Sequence, residues 1–135
     1  MLAIAGATMA YQDFKEIFGG ARFGTLALQG ARVQRLLWAS TGTKNPDYSD
    51  VKYVETLIGA DTVNTVPVET LNAYRDHGVP KASLEKDVAE ATRVLKRLPE
   101  LGISIDNVTR QLEDEGVEEF NKPFDKLMET LAQRS

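Results

Sequence analysis

The sequence predicts an α/β chain, mostly helical by content, with a parallel sheet too small to stand alone. Two short runs, Val33 to Ala39, of mainly branched and aromatic residues, and the β-branched Thr62 to Val66, are long enough for strands and too short for typical helices. A helix-period segment, Val51 to Ile58, lies between them, and strand–helix–strand order points to a βαβ unit with parallel strands. No third run of this kind follows. Parallel strands are normally flanked by neighbours and covered on both faces, so two of them alone leave open, apolar edges. The chain is therefore expected to be a piece of a larger α/β fold, or to associate to complete one.

In order, Ala3 to Phe18 reads as a helix, with Ile4, Ala7 or Met9, Tyr11, Phe14 and Phe18 recurring at three- and four-residue steps. Gly19-Gly20 ends it, and a second short helix, Ala21 to Gln29, closes at Gly30. After the first strand, Pro46-Asp47 makes a turn, and Ser49 is placed to cap the helix Val51 to Ile58, with Asp50 in its first turn. Gly59-Ala60-Asp61 turns the chain into the second strand. Pro67, whose fixed φ suits a helix start, opens Val68 to His77, which stops at Gly78. Val79-Pro80-Lys81 links to a helix from Leu84 to Leu98 capped by Ser83. Pro99 and Gly102 break the chain, and two further helices are expected, Asp106 to Glu115 and Val117 to Gln133, divided by Gly116. The last of these is expected to bury Phe120, Phe124, Leu127, Met128 and Leu131, with Pro123 kinking or delaying its start.

Composition narrows the functions. At 135 residues the chain is one domain or part of one, and 42% hydrophobic residues suffice for a core. A net charge of −4 with scattered basic residues argues against nucleic acid. Without cysteine there is no thiolate nucleophile, disulfide or cysteine-ligated metal, and the single histidine, His77, excludes a His-rich metal site. The acidic run Asp106 to Glu119 reads as a solvated helix face, so neither a metal nor a cofactor is expected. No apolar stretch is long enough to span a membrane, and the apolar start Met1 to Ala10 lacks a basic leader region and runs into a helical pattern. A cytoplasmic protein is the expectation.

The chemistry concentrates where the first strand stops. Ser40-Thr41-Gly42-Thr43-Lys44-Asn45 supplies hydroxyl donors, a backbone open to close approach and one cation, which is what an anionic oxygen group needs. It is not a Walker loop, because Thr43 separates Gly42 from Lys44 and no Ser or Thr follows the lysine. Nor does Lys44 suit a Schiff base, since a nucleophilic lysine wants an apolar surround and this one sits among hydroxyls and an amide. Trp38, on the strand, reads as core. Asn64, inside a β run, needs a hydrogen-bond partner and is a possible lining residue of the same site. His77, at a helix end, fits a dipole-favoured capping residue.

Four stretches resemble transaldolase, in the longer bacterial branch that also occurs fused to glucose-6-phosphate isomerase. They are GARVQRLLWASTGTKNPDYSDVKYVETLIG (Gly30 to Gly59), DTVNTVPVETLNAYRDHG (Asp61 to Gly78), AYQDFKEIF (Ala10 to Phe18) and DNVTRQLEDEGVEEFNKPFDKL (Asp106 to Leu127). The W-A-S-T-x-x-K-N-P sequence after a strand is the most specific of them. The resemblance implies an incomplete (β/α)8 TIM barrel: residues 1–80 carry strands seven and eight with their helices, and residues 81–135 are C-terminal helices. It implies a transferase of carbohydrate metabolism, in the pentose phosphate pathway, that moves a dihydroxyacetone unit between sugar phosphates through a lysine Schiff base. The Schiff-base lysine and the acid/base Asp and Glu belong to strands four, one and three, so none of the catalytic residues is expected in this chain, and activity alone is not expected. What matches is the phosphate end, Ser40 and Lys44, with Thr41 beside them. Other branches carry Arg at the cation position; Lys offers a point charge in place of a bidentate fork. The alternative expectation is an inactive module that self-associates, or pairs with a missing N-terminal half, through its open strand edges.

Overall fold

A computed structural model describes residues 2–133. It falls into two compact units, one running to Leu95 and one beginning at Lys96.

In the first unit, helices α1 (Leu2–Gly19) and α2 (Ala21–Ala27) precede strand β1 (Leu36–Trp38), helix α3 (Lys52–Thr56), strand β2 (Thr62–Asn64) and helices α4 (Val68–His77) and α5 (Val88–Lys96). Chain order follows the sequence expectation, and the two strands pair in parallel with Leu36, Leu37 and Trp38 opposite Thr62, Val63 and Asn64. Both strands are shorter than the runs that predict them. A ladder is only as long as its partner, so Val33, 46% exposed, lies ahead of it outside any strand. α2 ends where glycine predicts. Gly30, at φ 94, lets its own N–H reach the Ala27 carbonyl at 2.9 Å and the Ala31 N–H reach Leu26 at 3.1 Å.

The core of this unit is Tyr11, Leu57 and Leu84, with Ala7, Phe14, Leu36 and Trp38 packed against it. α1 turns Ala5, Thr8 and Tyr11 inward, and the Tyr11 hydroxyl donates to the Ala60 carbonyl at 3.2 Å. The expected face of α1 thus holds at Tyr11, which is buried, and at Ala7 and Phe14, which pack against the core. The other fully buried positions are the small Ala5 and Thr8, which the sequence did not single out.

Two helix boundaries are corrected. Leu84 does not begin a helix: the Ser83 and Leu84 N–H groups both donate to the Ile58 carbonyl, at 3.0 and 3.1 Å, and hold the segment as a turn until α5 starts at Val88. Ser83 accordingly donates its hydroxyl to the Lys81 carbonyl at 2.7 Å and caps no helix. Ser49 contributes only a long bond of 3.4 Å from the Val51 N–H, one residue ahead of α3.

In the second unit a single turn of 3-10 helix, Pro99–Leu101, leads to α6 (Ile105–Ala132), where two helices were expected. Ser104 caps it, accepting from the Asn107 N–H at 3.3 Å. Gly116 and Pro123 lie inside α6 and do not end it. Each lowers helix propensity at one position, whereas the surrounding Leu, Glu, Gln, Lys and Met favour the helix throughout, and a Gln111–Glu115 bond at 2.7 Å and a Lys122–Glu118 pair at 3.4 Å bridge successive turns. The predicted burial of Phe120, Phe124, Leu127, Met128 and Leu131 is also corrected: Phe120 is 84% exposed and α6 has no buried residue. Periodicity marks a face that seeks cover; it does not supply the cover. No helix among the described residues is long and apolar enough to cross a membrane.

Candidate anion site at the end of the first strand

β1 delivers the chain to the corner. The Trp38 carbonyl accepts from the Thr65 N–H at 3.0 Å and from the Thr65 hydroxyl at 3.4 Å, which closes the ladder one residue beyond its last pair. Trp38 is half-buried, packs on the core and donates its indole N–H to the Leu57 carbonyl at 3.1 Å, so both ends of the residue are fixed. Beyond it Ser40 adopts a left-handed backbone, φ 56, uncommon for a residue with a side chain. Thr41 is 2% exposed and donates its hydroxyl to the Asn64 side-chain oxygen at 2.7 Å. Gly42 comes close to the start of α4: a Cβ there would lie 3.3 Å from Pro67 Cγ and 3.4 Å from Thr70 Oγ1. The Asn45 side chain then accepts from the Asp47 N–H at 2.9 Å, the Asx turn that starts the descent to α3.

Ser40 to Asn45 form one wall of an open cavity of about 550 Å³. Trp38, Ala39 and Leu57, Ala3, Ile4 and Ala7 of α1, and Tyr48 and Tyr53 complete its lining. Lys44 is exposed at this wall, as a cation that meets a solvated anion should be. Ser40, Thr41 and Lys44, singled out from the sequence, thus share one wall. Asn64 stands behind it, bonded to Thr41, and is not among the lining residues. The α1 and tyrosine walls were not legible as part of a site. Their only signal is small, apolar spacing in α1 and aromatic residues just after the corner.

His77 departs from its expected role. Its ring contacts carboxylates, not the last carbonyls of α4: Nε2 lies 2.9 Å from an Asp50 oxygen and Nδ1 3.2 Å from an Asp76 oxygen. The hydrogen bond to Asp50, then that to Asp76, raises the imidazole's proton affinity above its ordinary value; the bond to His77 lowers that of Asp50. The pair ties the turn before α3 to the end of α4. Its stabilisation is full only where His77 is charged in the fold and Asp50 ionised. It is lost as pH rises through the raised imidazole value, and as pH falls through the lowered carboxyl value. Wild type is therefore expected to exceed His77→Gln in urea midpoint at about pH 5.5, and the difference to vanish at about pH 9. All partners are exposed, so the effect is small.

Residues 1–131 match the family model described as Transaldolase/Fructose-6-phosphate aldolase. The chain belongs to this family. It is 50% identical over 126 residues to a transaldolase of Thiobacillus denitrificans, covering 93% of this chain and 35% of the relative. To a transaldolase of Neisseria meningitidis serogroup C it is 47% identical over 130 residues, 96% of this chain and 37% of the relative. To transaldolase 2 of Nostoc punctiforme it is 47% identical over 132 residues, 96% of this chain and 35% of the relative. The chain thus spans a little over a third of the length of these curated transaldolases. Membership in a transaldolase family fits strands that pair in parallel around a connecting helix, the repeating unit of a (β/α)8 barrel.

Proposed function

We propose that this chain is the C-terminal portion of a transaldolase-type barrel and carries the end of the site that grips the phosphate of a sugar-phosphate substrate. On this reading residues 1–80 supply the last two strands with their helices and residues 81–135 the C-terminal helices. Ser40 offers a hydroxyl, Lys44 the charge, and Thr41 secures the corner between them. The observation that carries the reading is the position of this corner at the C-terminal end of a parallel strand, open to a cavity, which is where (β/α)8 enzymes hold their substrates. In the whole-length polypeptide the corner would anchor the substrate by its phosphate. That would hold the carbonyl carbon in place while a Schiff-base lysine elsewhere in the barrel breaks the carbon–carbon bond. The parent reaction would transfer a dihydroxyacetone unit between sugar phosphates, and this chain would add binding energy and orientation to it.

Inorganic phosphate is expected to bind the chain, and Lys44→Ala to weaken it about tenfold, the loss of one charge-assisted contact. Isothermal titration of both proteins measures it. Equal affinities would remove Lys44 from the site.

A second reading rests on a separate observation. The sheet has two strands among the described residues, with both outer edges open, and Leu37 on β1 is 53% exposed. Such edges favour pairing with a second copy or with the remaining strands of a barrel. A monodisperse monomer in size-exclusion chromatography would count against pairing between copies.

A further inference from the structure

We infer that Thr41 and Asn64 are positioning residues, whose hydrogen bond holds Ser40 in the left-handed backbone that presents it to the anion site; this rests on the reading of that site given above. The geometry is a span pinned at both ends. On one side the Trp38 carbonyl is held by two donors from Thr65, at 3.0 and 3.4 Å. On the other the Thr41 hydroxyl is held by Asn64 at 2.7 Å, and Thr41 is 2% exposed. Both anchors belong to one short stretch at the end of β2, since Asn64 is its last residue, opposite Trp38, and Thr65 follows directly.

Between the anchors the chain has two residues, Ala39 and Ser40, in which to leave the strand and turn. Ser40 takes up the turn with φ 56. A side-chain-bearing residue holds that conformation only where its surroundings over-determine it. Thr65 fixes where the turn starts, and Thr41–Asn64 fixes where it ends. Gly42 adds a limit beyond the corner, because Pro67 and Thr70 leave little room for it to swing outward. Asn64 is therefore not needed as a contact to the anion. Its side chain faces a hydroxyl of the corner's own backbone segment, and its effect on binding passes through Ser40.

The test is a double-mutant cycle on thermal stability, with phosphate affinity measured alongside. Thr41→Val keeps the shape and removes the donor. It is expected to lower Tm by about 4 °C or more and to weaken phosphate severalfold, while Thr41→Ser, which keeps the hydroxyl, retains both. Losing the clip lets Ser40 relax out of its strained backbone and so offsets part of the Thr41→Val loss; Ser40→Gly has no such strain to release, so in that background the Thr41→Val shift should be larger. An equal Tm shift in both backgrounds would overturn the inference. A Thr41→Val protein that folds only with Ser40→Gly present counts against it, because the serine would then keep its strained backbone without the bond, and failure of both to fold counts against it too. Absence of phosphate binding by the wild type would remove the anion reading, while the coupling would still decide the clip.

Discussion

Leu84→Ala is expected to destabilise the chain by about 2–5 kcal/mol, the range for emptying a fully buried leucine site. Leu84 is the largest side chain with essentially no exposure, at 2%, and it completes the cluster with Tyr11 and Leu57. Its surroundings cannot collapse easily into the space. The Ser83 and Leu84 N–H groups are tied to Ile58, and Tyr11 is held by its bond to Ala60. Gly59 sits against the leucine because it lacks a side chain: a Cβ there would lie 2.7 Å from Leu84 Cδ2 and 3.2 Å from its Cβ. Since domains of this size are stable by only about 5–15 kcal/mol, the loss is a large share of the total. Urea unfolding followed by Trp38 fluorescence measures it, because that indole packs on the same cluster. A change below about 1 kcal/mol would mean that Leu84 is not at the centre of the core.

Gly78→Ala is expected to cost about 1–3 kcal/mol through overpacking. Here space, not backbone freedom, requires glycine. At φ −69 the residue is conformationally ordinary, but a Cβ would lie 2.6 Å from the Tyr74 carbonyl oxygen and 2.3 Å from Tyr74 Cδ2. The ring can turn; the carbonyl cannot, because it accepts the Gly78 N–H at 2.9 Å as the closing bond of α4. The next residue is also committed, with the Val79 N–H donating to Glu55 at 2.8 Å. Relief therefore requires moving the end of α4 or breaking one of these bonds. Thermal unfolding of the variant should show a Tm several degrees lower, and an unchanged Tm would show that the helix end yields freely.

The parts of this fold legible in the sequence are those set by local chemistry. A run of branched and aromatic residues marked the first strand and a β-branched run the second, Pro67 and Gly78 bracketed α4, and Gly30 closed α2. The hydroxyl-and-lysine corner was legible for the same reason: its residue types are unusual directly after an apolar strand. What was not legible depends on distant partners. Ser40 gives no local hint of a positive φ, because serine does not demand it; the demand comes from Asn64, the last residue of β2, and Thr65 directly after it. The cavity walls from α1 and from Tyr48 and Tyr53 look like ordinary helix and loop positions until the fold gathers them. Leu84 read as one step of a helical stripe, but Ile58 holds it in a turn. Gly116 read as a break between two helices and Pro123 as a kink or delayed start, and α6 runs through both because single unfavourable positions do not outweigh a long favourable context.

Mapping inorganic phosphate onto the backbone amides by NMR titration decides whether the corner after β1 holds an anion. Saturable shifts should concentrate on residues 40–44, follow one affinity and collapse in Lys44→Ala. Shifts centred elsewhere on the chain, or a response at the corner that survives loss of the lysine, would contradict an anion site built on Ser40, Thr41 and Lys44.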